Sequence, residues 1–359
     1  MQAACSAGGA EGEEEGPGAR DLEGWTALVT GAGSGAGRRV AEGLAALGAT
    51  VLAGARPGAA AAAPASRLPG PGPGRVVPLE LDLNSLRSVR EAAAEAGRLV
   101  GPRGLNLLVN CGGVSFRKRR LSAEGVEQHF AVNYLAHFLL ARELEGLLAR
   151  GARAAGAESR VVNVACSLHY LVTRGRVHHG IDWSVVEGRA RRFTPFQAFF
   201  QSKLAMILHV RHLQAREEAR RREQPGGGGA AGAQAVAYHA LHPGLCFETG
   251  FWGHLGADRA GWQDSLASVA QWVLAPTGLA VSARDMAQNI LHVCRSRALD
   301  GLSGRYWEPC RGPQRVAEAK GSRESRDAAA AERLWERSVE LVAGDLLGGN
   351  GMAAAGAVT

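Results

Sequence analysis

The stretch Thr30 to Gly37 carries the densest chemical information in the sequence. In TALVTGAGSGAGRRVAEGLAALGATVLAGAR an apolar run enters Thr30, Gly31, Gly33, Ser34, Gly35, Ala36 and Gly37, and a helical pattern follows. Glycines let a chain turn tightly and bring backbone N–H groups close to a pyrophosphate, and a helix N-terminus adds positive potential. About 20 residues past such a turn, an NAD site places Asp or Glu to accept from the ribose 2′-OH. Here the second apolar run ends at Arg56. A guanidinium suits a 2′-phosphate through charge-assisted hydrogen bonds, and Arg38 is placed to reinforce it, so the expected cofactor is NADP(H). Two plainer readings stay open: a glycine-rich loop with no ligand, and two arginines on a wet rim.

The elements that would position this turn follow a regular order. Ala27 to Thr30, Val51 to Gly54, Val76 to Leu81, Leu105 to Asn110, Val161 to Val164 and Ala235 to Leu241 read as buried strands. Val40 to Leu47, Leu86 to Leu99, Gly125 to Leu148 and Phe200 to Arg222 carry apolar residues at helical spacing. Repeated strand-helix-strand units imply an α/β fold, a doubly wound, Rossmann-like parallel sheet in a single domain. The segmentation expected is a disordered leader over 1–22, a main domain over 23–310, a helical extension over 311–345 and a disordered tail over 346–359. Pro-rich 57–74 and Gly-rich 224–233 read as flexible loops.

Composition narrows the function classes. A formal charge of +7, from 41 Lys and Arg against 34 Asp and Glu, is a modest excess of scattered arginine. It favours an anionic small ligand over nucleic acid. The densest basic run, Arg117, Lys118, Arg119 and Arg120, reads as a solvated loop, with a phosphate-rich partner or a nuclear address as the rival reading. Six separated cysteines without a C-x-x-C pair imply no zinc site and no disulfide framework, which fits a reducing compartment. With no signal peptide and no membrane-length apolar run, a cytoplasmic protein is expected, with peripheral membrane association and a homodimer both left open.

Several further segments resemble the short-chain dehydrogenases/reductases, in the order that family uses. The turn matches its T-G-x-x-x-G-x-G signature. Leu81-Asp82-Leu83 is similar to its adenine-contacting segment, Asn110-Cys111-Gly112-Gly113 to its N-N-A-G element, and Val132-Asn133-Tyr134 to the helix bearing its proton-relay Asn. Ser202-Lys203 matches the end of Y-x-x-S-K, and His242-Pro243-Gly244 the loop closing over nicotinamide. The resemblance covers about residues 24 to 345. It is nearest the retinol dehydrogenase-like branch, through VNYLAHFLL, SRVVNVACSLH, SKLAMIL, LSGRYWEPC and ERLWERSVELV. Beside Arg38 and Arg56, it implies cofactor contacts at Thr30, Gly31, Gly33, Ser34, Gly35, Ala36, Gly37, Asp82, Leu83, Asn110, Gly112, Lys203, Pro243 and Gly244.

The same resemblance implies hydride transfer coupled to a tyrosine that moves a proton, a lysine that tunes it and a serine that orients the substrate oxygen. Four residues before Lys203 stands Phe199, which has no exchangeable proton, and such a group is worth about 10² to 10⁴-fold in rate. Cys166 takes the serine position, with Ser167 next to it as a substitute if the strand end bulges. A thiol is the poorer donor, and a packed small side chain is the plainer reading of Cys166. His169, His178 and His179 in the following loop read as solvent-facing rather than catalytic, and Tyr170 as too far upstream to replace the phenol. Thr249 sits one place late for its family contact, and Phe251, Trp252, Trp262 and Trp272 suit either a hydrophobic substrate site or a core.

These readings leave three functions. One is an NADP(H)-dependent oxidoreductase acting on a hydrophobic small molecule such as a retinoid or lipid aldehyde, with Asn133, Lys203 and Ser167 or Cys166 in the site. Another is a pseudoenzyme that binds NADP(H) as a binding or sensing module. A pure interaction protein is the third and least favoured. No metal ligands are expected.

Overall fold

Alternation along the strands divides the interior in two. In β1 (Thr26–Thr30), Leu28 faces one core while Ala27 and Val29 face the other. In β4 (Leu107–Asn110), Leu108 opposes Leu107 and Val109, and in β5 (Ser159–Val164), Val161 opposes Val162 and Val164. Strands that bury both faces need helices on both, and this fixes a layered α/β architecture. The computed structural model describes residues 21–56, 58, 74–172, 180–223, 236–246, 281–310 and 315–347.

The remaining strands are β2 (Thr50–Ala55), β3 (Arg75–Glu80), β6 (Val236–Leu241), β7 (Arg305–Pro309) and β8 (Val316–Glu318). They form one sheet of order β3-β2-β1-β4-β5-β6-β7-β8, parallel except for antiparallel β8. The order reverses between β1 and β4, where open α/β sheets bind their ligands. One face carries α1 (Gly35–Ala46) and, from the C-terminal part, a helix over Ala283–Arg295. The other carries α2 (Leu86–Val100), α3 (Gln128–Phe130), a π-turn over Ala131–Leu135, α4 (Ala136–Glu143) and α5 (Glu145–Ala155). The short α6 (Trp183–Val186) and long α7 (Pro195–Glu223) come next in the chain. Ala283–Arg295 is α8, and α9 (Ala328–Leu347) packs on α7 and the first of these cores.

The doubly wound reading holds, and all six expected strands form. Three local expectations need correction. Gly125 to Leu148 is not one helix: the π-turn widens it at Asn133, and the chain breaks again at Leu144 before α5. The sheet also extends past the expected last strand, because β7 and β8 pair across residue 310. His169 is fully buried rather than solvent-facing, since its Nδ1 bonds the Cys166 carbonyl and its Nε2 accepts from the Ser322 N–H. The readings placed on residues 1–20, 59–73, 224–235 and 348–359, on His178, His179 and Thr249, and on the aromatics Phe251, Trp252, Trp262 and Trp272 lie outside the described residues.

Candidate functional site

The sequence-predicted positions gather at one edge of the sheet, the carboxyl ends of the parallel strands. Thr30 ends β1, Arg56 follows β2, Asp82 and Leu83 follow β3, Asn110 ends β4, Cys166 follows β5 and His242-Pro243-Gly244 follows β6. Chain order scatters these residues over more than 200 positions, and parallel topology alone brings them together.

The turn after β1 is closed by backbone contact. Gly31 has φ +67, and a Cβ there would lie 2.7 Å from Gly112 Cα. A Cβ on Gly37 would strike the Gly31 carbonyl oxygen, and one on Gly112 would lie 2.5 Å from Leu83 Cδ1. Backbone atoms leave no room for a side chain at Gly31 or Gly37, and one at Gly112 would have to displace Leu83. Thr30 locks the turn to β4, because its Oγ1 accepts from the N–H groups of Cys111 (3.0 Å) and Gly112 (2.9 Å). With both acceptor sites used, the Thr30 hydroxyl proton points to His137 Nε2 at 2.9 Å. His137 Nδ1–H then donates to the Asn133 carbonyl at 3.1 Å, which defines the neutral tautomer. Burial pushes the His137 pKa down to about 4, and only partly does the Asn133 bond offset it.

The mouth of this turn suits an anion. Ser34, the residue before α1, makes no side-chain cap, and the first turn of α1 contains no acid, so its amide groups keep their positive potential outward. Gly33 and Ala36 are half-buried and Ser34 is exposed at this mouth. Arg56 is exposed beyond the end of β2. Arg38 lies on the outer side of α1 with its Nε bonded to Glu42 at 2.8 Å, so it carries a competing partner. Asp82 Oδ1 accepts from the Asn84 N–H, and its own N–H donates to Ser88 Oγ. Buried Asn110 donates to Asn163 Oδ1 at 2.7 Å, while its own Oδ1 has no hydrogen bond among the described residues. That orphaned acceptor and the Cβ-free cradle fit a dinucleotide laid across the β1–β4 ends.

Beside the cradle, α7 presents Phe199 and Lys203 one turn apart. The buried Phe199 ring lies 5.9 Å from Lys203 Nζ. The ammonium donates to the Val164 carbonyl at 2.9 Å, and burial lowers its pKa, with Cys166 and Cys111 opposing. Burial likewise raises the Cys166 thiol, with bonds from the Leu168 backbone and Ser167 opposing, and pushes Cys111 up to about 11. Both thiols are therefore neutral at pH 7. Ser167 opens the short 3-10 turn Ser167–Leu171. Asn133 is committed to structure: its Oδ1 accepts from Val114 N–H, and its Nδ2 donates to the Val114 carbonyl and to Ser202 Oγ, which in turn donates to the Phe199 carbonyl. At the far end, the Pro243 carbonyl accepts from Asn289 on α8, and Gly244 sits at φ +108 against Val281.

No tyrosine faces Lys203. Tyr134 bonds Ser338, Tyr306 donates to Glu308, Tyr170 also bonds Glu308, and Tyr238 lies on β6 among Glu145 and Glu217. The sequence reading missed His137, Asn163 and a fully buried Glu127–His129 pair (2.7 Å) whose imidazole meets Phe199 edge-on, with ring centroids 6.3 Å apart. The signal available was a polar residue inside an apolar helical or strand run, as in VNYLAHFLL.

Sheet order, a glycine cradle at the switch point and a lysine on the neighbouring helix define a dinucleotide-binding α/β protein. A family model described as short chain dehydrogenase matches residues 25–172. The chain is 33% identical over 323 residues to the polyprenol dehydrogenase of Mus musculus, covering 89% of this chain and 84% of that one. It is 31% identical over 332 residues to retinol dehydrogenase 14 of Mus musculus, with 89% and 86% covered. The crystal structure of an uncharacterized protein from Mycobacterium paratuberculosis superposes with a TM-score of 0.63 at 26% identity, covering 90% of this chain and 96% of that one. The NADP active-site complex of Pseudomonas aeruginosa RhlG shares the fold at a TM-score of 0.55 and 22% identity, with 82% and 98% covered. The chain belongs to the short-chain dehydrogenase family.

Proposed function

We propose that this protein binds NADP(H) and acts as an oxidoreductase on a hydrophobic alcohol or carbonyl, at a rate limited by proton transfer. The observation that carries the reading is the cradle of Thr30, Gly31, Gly37 and Gly112, closed by the Thr30 hydroxyl, which His137 in turn accepts from. When bound, the nicotinamide supplies or accepts the hydride. In this reading the α1 amides bind the pyrophosphate, Arg56 engages the 2′-phosphate with Arg38 in support, and Asp82 and Asn110 flank the adenosine half. Lys203 holds the ribose, and Cys166 or Ser167 orients the substrate oxygen. The apolar substrate class is supported by relatives named for polyprenol and retinol and by the phenylalanines at residues 193, 196, 199 and 200.

Phe199 favours a second reading, in which the site binds NADP(H) without turnover. Fluorescence titration with NADPH and NADH, followed by assays on retinaldehyde and simple lipid aldehydes, separates the two. Turnover by the unmodified chain supports the first. NADPH binding with no turnover supports the second, and failure to bind either nucleotide overturns both. Residues 23–310 complete the proposal as the catalytic unit, with 311–345 an extension integral to its fold, since β8 joins the sheet and α9 packs into the core.

A further inference from the structure

Two loops beside the Phe199 wall meet in one basic and apolar surface. Arg117, Lys118 and Arg120 are exposed on the loop after β4, and Arg191 and Arg192 on the loop before α7. Arg119 ties the loops together. Its guanidinium donates to the Gly188 and Ala190 carbonyls and lies over Phe193, 5.4 Å from the ring centroid. It is thus half-buried and structural, whereas Arg117 and Lys118 are exposed and Arg120, also exposed, rests its guanidinium on the Phe116 ring at 4.4 Å.

Acidic compensation is thin here. Neither 115–123 nor 188–200 contains Asp or Glu. Glu187 is held by Arg189 and Arg337, and Glu124 accepts from the Leu86 N–H. Arg117, Lys118, Arg120, Arg191 and Arg192 form no ion pair among the described residues. The two most exposed large apolar side chains among the described residues flank these cations: Leu121, 48% exposed and in contact with Gly188, and Phe196, 58% exposed. From Phe196 an aromatic series runs inward to Phe200 (6.0 Å), then Phe199 (6.2 Å), and so to Lys203.

We infer that this surface docks the protein on an anionic lipid bilayer. The five cations meet the headgroups while Leu121 and Phe196 enter the acyl boundary, the division of labour of interfacial anchors. The Phe196–Phe200–Phe199 series then opens toward the lipid, where an apolar substrate resides. A nucleic acid would use the cations but leave Leu121 in a wet, polar interface. Docking rests on the proposed substrate class for its purpose but not for its measurement, since vesicle binding is read without cofactor or substrate. Failure of one therefore leaves the other standing.

The test is flotation of the full chain with phosphatidylcholine vesicles, with and without phosphatidylserine at about one-third of the lipid. Binding is expected only with phosphatidylserine and is expected to fall at high ionic strength. Combined Arg117→Glu, Lys118→Glu, Arg191→Glu and Arg192→Glu should abolish it, at about fivefold or more per residue. Leu121→Ser should weaken it while NADPH binding stays unchanged. Arg87→Glu with Arg98→Glu, reversals on exposed α2 sites, should leave binding within about twofold. No binding to anionic vesicles, equal loss in the α2 control, or preference for duplex DNA or RNA over vesicles at physiological salt would overturn the inference.

Discussion

The phosphate turn and the Phe199 wall share one sheet edge, yet they are built differently. The turn is fixed by backbone: Gly37 and Gly112 both close on Gly31, and the Thr30 hydroxyl spends two acceptors and one donor. The wall is fixed by side-chain packing, with Phe199 against His129, Phe200 and the Lys203 ammonium. A backbone-built site tolerates almost no substitution, whereas a packed wall accepts an isosteric ring and loses only its chemistry. Phe differs from Tyr by one oxygen, so the proton donor can go while the architecture stays.

The sharpest way to break this contrast is Phe199→Tyr. If the wall keeps the geometry of a working site, the added phenol beside Lys203 should raise kcat on retinaldehyde or a lipid aldehyde by about 10² to 10⁴-fold. NADPH affinity should change little. An unchanged rate with tight NADPH binding would mean the wall has lost position as well as chemistry. Gly37→Ala tests the other side. Its methyl meets the Gly31 and Thr30 carbonyls, and relieving this by backbone strain costs about 1–3 kcal/mol. NADPH affinity should drop by about 10- to 100-fold in titration, and an unaltered affinity would show that the nucleotide does not use this cradle.

Arg56→Ala is a smaller perturbation because the side chain is exposed. It should cost NADPH about tenfold, in the range of a charge-assisted hydrogen bond at a wet site, and leave NADH unchanged. Parallel losses for both nucleotides would remove the 2′-phosphate assignment. Arg38→Ala should do less, since Glu42 already competes for its guanidinium.

Local signals made the strands, the glycine turn and the Arg56 strand end legible in the sequence. Apolar runs and turn residues act over a few positions, and the parallel sheet then collects them. What stayed hidden acts across distance. His137 serves Thr30 from 107 positions away, and Asn163 serves Asn110 from 53. Their sequence neighbourhoods read only as helix and strand. β7 and β8 escaped for another reason, because a half-buried RYWEP ending in Pro and a three-residue VAE lack a strand's apolar run. His169 looked wet because a loop histidine carries no periodic pattern, although two backbone groups hold it inside.

His137 also gives the finest test of the comparison, because it is the side chain on which the backbone-built turn depends. Folded, it resists protonation down to about pH 4, whereas unfolded it titrates near the ordinary 6.5. Between those values the unfolded chain holds a proton that the folded chain refuses, so stability falls as pH drops from about 6.5 toward 4. The loss reaches about 1.4 kcal/mol per pH unit for this one group. His169, His209, His239 and His242 are lowered in the same direction by burial and add to the slope. In His137→Gln, the amide oxygen takes the Thr30 hydroxyl proton without titrating, so NADPH affinity at pH 7.5 should stay within a few-fold. Urea unfolding at pH 7.5, 6.5 and 5.5 should then show a shallower acid loss than the parent, by about 1 kcal/mol at the lowest pH. Identical slopes for the two proteins would mean that protonation elsewhere governs acid stability. A collapse of NADPH binding at pH 7.5 would instead show that the turn needs the imidazole itself and not merely its acceptor.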